Sequence, residues 1–75
     1  MEELVRMIAE SLVDHPEQVQ VKTVEGPESI VLELSVGPDD MGKVIGKQGR
    51  IAKAIRTIVK AASVDAEKKY VVDIL

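Results

Sequence analysis

Apolar residues recur along this chain with two different periods, and the switches between those periods lay out six elements. Leu4, Val5, Ile8, Leu12 and Val13 return at helical spacing, so a helix with one buried face is predicted over Met1–Val13. Glu2 and Glu3 stand in its first turn, where the helix dipole favours negative charge. Pro16 disfavours helical backbone at the residue before it and ends the element. Val19 to Val24 is β-branched and partly alternating, which predicts a strand, with Gly26-Pro27 as its turn. Ile30, Leu32, Leu34 and Val36 then alternate strictly with Val31, Glu33 and Ser35, the pattern of a second, half-buried strand.

The period changes again at Gly37-Pro38-Asp39-Asp40, which opens a short helix with an aspartate as its predicted N-cap and Gly46 as its stop. A second helix is predicted from about Arg50 to Ala62, and Tyr70–Leu75 is a last strand. The order is therefore α-β-β-α-α-β, an α+β fold in one domain over residues 1–75. A strand, a helical excursion and a further strand favour a right-handed crossover and a parallel pairing. Three helices would cover one face of a three-stranded sheet. Strand order in that sheet does not follow from the sequence.

The chemistry concentrates where the two central helices meet, in Val44-Ile45-Gly46-Lys47-Gln48-Gly49-Arg50-Ile51. Two glycines three apart let the backbone turn sharply and approach another backbone closely. The N–H groups there and the positive end of the following helix favour anions. Lys47 and Arg50 add mobile positive charge. The net charge of −3 at first argues against a polyanion partner, but the distribution reverses it. Between Met41 and Val64 there are six basic residues (Lys43, Lys47, Arg50, Lys53, Arg56, Lys60) and no acid, while all 13 acids lie elsewhere. A local field steers a ligand whatever the sign of the total charge. Such a run taken alone is a solvated helix face; beside a glycine loop it favours a sugar-phosphate backbone.

The segment Gly42-Lys43-Val44-Ile45-Gly46-Lys47-Gln48-Gly49-Arg50-Ile51 resembles the signature of KH domains, V-I-G-x-x-G-x-x-I, with the last apolar contact supplied by Ile51 or Ala52. The element order and the length are similar to the stand-alone bacterial KH proteins of the KhpA kind, with the type II arrangement. The resemblance implies a non-catalytic RNA-binding module, an RNA chaperone or post-transcriptional regulator. In such domains the Gly-x-x-Gly loop clamps four nucleotides of a single strand. By motif position, Gly46 and Gly49 permit the close approach, and Lys47 and Gln48 project from the loop tip. Lys43 and Arg50 flank it, with Lys53 beyond. Val44, Ile45 and Ile51 form an apolar floor under the bases or simply pack the core. The resemblance also implies self-association and pairing with a larger, multi-domain KH protein. The alternative is an interaction subunit whose fold serves mainly to assemble with itself or such a partner. Intact glycines and Lys47 favour RNA binding, since a pure scaffold has no need of a phosphate-shaped loop.

Composition narrows the remaining classes. A chain of 75 residues buries only about 60% of its unfolded surface, so its stability is marginal. It has no cysteine and no His cluster, hence no disulfide, structural metal or cofactor is expected. No signal peptide is expected, since the N-terminus carries Glu2 and Glu3 rather than a basic region and an apolar run, and no run of about 18 apolar residues exists. A soluble, cytoplasmic protein without membrane contact is expected. Gly42-x-x-x-Gly46-Lys47 echoes a P-loop but lacks its spacing and its hydroxyl. His15 reads as a solvent-facing helix end, and Met7 and Met41 as core fillers. Nothing assembles a nucleophile with a base, so an enzyme is not expected. With Tyr70 as the only aromatic residue, base stacking is scarce and sequence preference should be weak.

The second motif helix carries more apolar surface than one core contact needs. Ala52, Val59, Ile55, Ala62, Ile51, Ile58, Ala54 and Ala61 sweep roughly 180°, against the ~100° of an ordinary buried stripe. A homodimer interface is expected at Ala54, Ile58, Val59, Ala61 and Ala62. The competing expectation is that the rest of the domain covers the whole arc.

Overall fold

Alternation along β2 (Ser29–Ser35) decides which side of the sheet is dry. Leu32 and Leu34 are buried, and their neighbours across the sheet are set by register in the computed structural model, which describes all 75 residues. β1 (Gln20–Glu25) pairs with β2 antiparallel, placing Val21 opposite Leu34 and Thr23 opposite Leu32. β3 (Lys69–Ile74) pairs with β2 in parallel, placing Val72 beside Leu32 and Ile74 beside Leu34. The strand order is β1-β2-β3, so the expected parallel pairing is present and β1 and β3 are both edges. Lys68 staples the sheet's end by bonding the Glu25 carboxylate (2.8 Å) and the Gly26 carbonyl (3.0 Å). That contact holds the Glu25 carboxyl below its ordinary range.

Three helices complete the domain: α1 (Glu2–Leu12), α2 (Met41–Ile45) and α3 (Arg50–Ala62). Short 3-10 turns at Pro16–Gln18, Pro38–Asp40 and Lys47–Gly49 carry the chain between elements. α1 rests on β1 and β2, α3 on β3, and α2 packs against both of those helices. Val5 and Ala9 of α1, Val44 of α2, and Ile55 and Val59 of α3 meet Val21, Leu32, Leu34 and Val72 in one cluster. Burying each aliphatic side chain of that size contributes about 1.5–3 kcal/mol. No helix is long and apolar enough to cross a membrane.

Two expectations about local roles are corrected. Met7 is 60% exposed, because at 100° per residue it lies about 200° round α1 from the buried Val5. Met41 does pack against the core. Asp40 occupies the N-cap position of α2 but its carboxylate makes no cap hydrogen bond. Instead the buried carboxylate accepts the backbone N–H groups of Asp14 (3.1 Å) and His15 (3.0 Å), tying the α1–β1 connection to the start of α2. A buried polar side chain must be hydrogen-bonded somewhere, and here tertiary partners win over the local cap.

Candidate nucleic-acid interface

The loop between α2 and α3 is a left-handed excursion that only this residue pattern permits at low cost. Gly46 has φ 76° and ψ 175°, a conformation that is essentially glycine's alone. Its N–H closes α2 on the Gly42 carbonyl (2.8 Å), and its carbonyl accepts the Gly49 N–H (3.2 Å). Space matters as much as the dihedral: a Cβ at Gly46 would lie 2.8 Å from Ile51 Cβ and 2.9 Å from Ile51 N. Gly49 has φ 73° with open space around it, so its requirement is conformational only. Gln48 is also left-handed, at φ 58° and ψ 26°, the one non-glycine residue so placed.

This backbone leaves Lys47, Gln48 and Arg50 exposed together, with a guanidinium Nη2 of Arg50 donating to Gln48 Oε1 (3.3 Å). The N-terminus of α3 opens beside them, and the first N–H groups of a helix lack partners within it. The loop thus presents mobile cations, an amide and a helix's positive end at one exposed point.

Other expected contacts fall differently. Val44 is 0% exposed, a core residue with no surface to offer a base; it supports the loop from beneath. Ile45 is exposed and Ile51 half-buried beneath Gly46, so these two can floor a site. Both candidates for the last apolar contact are in use, since Ala52 is buried in the interior while Ile51 backs the glycine. Lys43 is not a free cation. It pairs with the Asp14 carboxylate and lies 3.5 Å from Asp40 Oδ1, and the bond to Asp14 leads the effects that raise its pKa. Burial pushes the Asp40 carboxyl up, but the Asp14 and His15 N–H groups and Lys43 together hold it below its usual value.

α3 divides its circumference three ways. Ala52, Ile55 and Val59 face the core. Lys53, Arg56 and Lys60 follow at helical spacing on the flank toward β3, where Arg56 Nε donates to the Val72 carbonyl (3.2 Å) on the sheet's edge. Ala54, Ile58, Ala61 and Ala62 lie exposed on the other flank, with Ile58 44% exposed. Val59, expected in a dimer interface, is 1% exposed and belongs to the core instead. Sequence reasoning missed Arg56's bond to the edge strand, since nothing in α3 alone says which strand lies beside it.

Similarity to known proteins agrees with this geometry. The family profile described as KhpA/KhpB, KH domain, matches residues 2–74. The chain belongs to this family. The RNA-binding protein KhpA of Clostridium perfringens is 68% identical over 75 residues, the full length of both chains. That of Clostridium acetobutylicum is 63% identical over the same span, again the full length of both. Among solved structures, Era of Aquifex aeolicus superposes with a TM-score of 0.64 at 23% identity, over 96% of this chain and 28% of that one. A second Era structure, in complex with MgGDPNP and nucleotides 1506–1542 of 16S ribosomal RNA, gives a TM-score of 0.65 at 23% identity. These two likenesses concern the fold alone.

Proposed function

We propose that this protein is a non-catalytic binder of single-stranded RNA whose Gly46-Lys47-Gln48-Gly49 loop holds the sugar-phosphate backbone. The observation that carries the reading is the loop itself: two glycines with positive φ, exposed Lys47, Gln48 and Arg50, and the start of α3 converge on one point. Relatives over 60% identical along the full chain bear the name RNA-binding protein KhpA, in line with that chemistry. Lys53 continues the positive surface along α3, while Ile45 and Ile51 offer apolar area to bases. A cytoplasmic RNA chaperone or post-transcriptional regulator is the role that fits a small module of this kind.

One KH footprint covers four nucleotides, so a second module strengthens the account. The exposed flank of α3 at Ala54, Ile58, Ala61 and Ala62 favours a homodimer, or assembly with a larger multi-domain KH protein on the same surface. Small alanines let a second helix approach closely, and a marginal domain gains stability by covering Ile58.

The test is the double variant Lys47→Asp, Gln48→Asp. Both side chains are exposed, where substitutions shift stability by no more than about 0.5 kcal/mol, and Asp accepts the left-handed conformation of position 48. The folded variant should lose binding to single-stranded RNA. Undiminished binding would place the site elsewhere.

A further inference from the structure

A roomy surface hollow lies away from the glycine loop. It lies at the far end of α3, a groove of about 640 Å³ between Arg56, Lys60 and Val64 on one side and Lys69, Tyr70 and Val71 on the other. We propose that this groove is a second contact for the RNA strand that the loop holds, with Tyr70 stacking against one of its bases. This inference rests on the functional reading above and extends it along α3.

Three observations carry it. The first is the chain's single aromatic residue, which the fold places at this groove and half-buries against the core. Packing on one side fixes a ring's orientation, so that stacking costs little further ordering. The second is charge: Arg56, Lys60, Lys68 and Lys69 line the groove with Glu67 as the only acid. Lys68 is committed to Glu25, and Arg56 donates its Nε to the Val72 carbonyl, which leaves Lys60 and Lys69 as cations for phosphates. Half of the lining residues are hydrophobic, so a cationic rim surrounds an apolar floor. The third is continuity. Lys53, Arg56 and Lys60 step along one flank of α3 from the loop to the groove, with no acid from Met41 to Val64 to interrupt them. The helix has 13 residues, about 20 Å at 1.5 Å each, so a strand that leaves the loop along this flank arrives at Tyr70. A groove of this volume lies within the range of small-ligand sites, about 300–1,000 Å³.

Base–aromatic stacking is sequence-tolerant, because every base has a π-face. The groove therefore lengthens the footprint without narrowing the choice of RNA. Positive charge at both ends and along the flank between them also sets the path of the strand.

Since there is no Phe or Trp, the ring protons of Tyr70 stand apart in a proton NMR spectrum with only His15 for company. Titrating the protein with a single-stranded 12-mer should move the Tyr70 ring signals upfield, as a stacked base does. A four-nucleotide oligomer, long enough for the loop alone, should bind more weakly and leave them in place. Tyr70→Phe should bind the 12-mer like the parent, and Tyr70→Leu roughly 5- to 150-fold less well, the range expected for one stacked base. Exchanging the exposed Lys60 and Lys69 for Glu gives a variant whose fold is not at stake, and it too should lose affinity for the 12-mer only. If the 12-mer bound with the Tyr70 signals unmoved and the lysine variant bound it equally well, this second contact would be refuted and the loop site would stand. If neither oligomer bound the parent, the loop reading itself would fall.

Discussion

Two glycines three residues apart do different work. Gly49 needs only its positive φ, so Gly49→Ala should cost roughly 1–2 kcal/mol, the penalty of a left-handed Cβ. Gly46→Ala adds a collision with the backbone and side chain of Ile51, and should be the more destabilising of the two. Urea unfolding of both variants checks the order; equal losses would contradict it. Ionic contacts at Asp40 and Lys43 make a second prediction at this scale. Asp40's folded pKa lies below its ordinary 3.8, so the carboxylate's contribution is present above that pH and disappears as pH falls through the folded value. Lys43's lies above 10.5, so its contribution is present below that pH and disappears as pH rises through its folded value. Stability should therefore be level with respect to these two groups from about pH 5 to 10. Asp40→Asn should flatten the acid limb seen by thermal unfolding across pH, and an unchanged limb would assign it to other carboxylates.

At the scale of elements, the helix after the loop carries the account because its three flanks have three partners. Its helical period and basic run were legible in the sequence; the division of its apolar arc was not. Val59 and Ile58 are adjacent apolar residues of similar size, and only the position of β3 and α1 makes one buried and the other exposed. The engagement of Lys43 is hidden from the sequence for a similar reason. Asp14 lies 29 residues away, and no local pattern announces a pairing across that distance. With Lys43 engaged, the cations free for phosphate near the loop are Lys47, Arg50 and Lys53. Three contacts on a single strand give a slope of log K against log salt near −2, at about −0.7 per contact. Filter binding from low to high salt measures it, and a slope near zero would count against phosphate recognition. A duplex should bind less well than a single strand, because its bases cannot turn toward Ile45 and Ile51.

For the molecule as a whole, element order could be read from periodicity and the parallel pairing of β2 with β3 from the helical crossover between them, whereas the β1-β2-β3 order required the structure. What one domain leaves exposed then predicts its assembly. Ile58→Asp or Ala61→Asp should yield a folded monomer, while Val59→Asp should unfold the domain, since an unpaired buried charge costs about 3–5 kcal/mol. Sedimentation distinguishes these, and a parent that is monomeric at tens of micromolar, about the range of a weak dimer, would leave that flank to a different partner. Loss of the dimer should also weaken RNA binding through lost avidity. The central claim is narrower than assembly: the glycine loop is where RNA meets this protein. Amide chemical-shift mapping during titration with single-stranded RNA locates that meeting directly. The largest changes should fall on Gly46 to Arg50 and run down α3 through Lys53. Unmoved loop amides, with the largest changes instead on the open sheet face at Lys22, Val24 and Val31, would contradict the account.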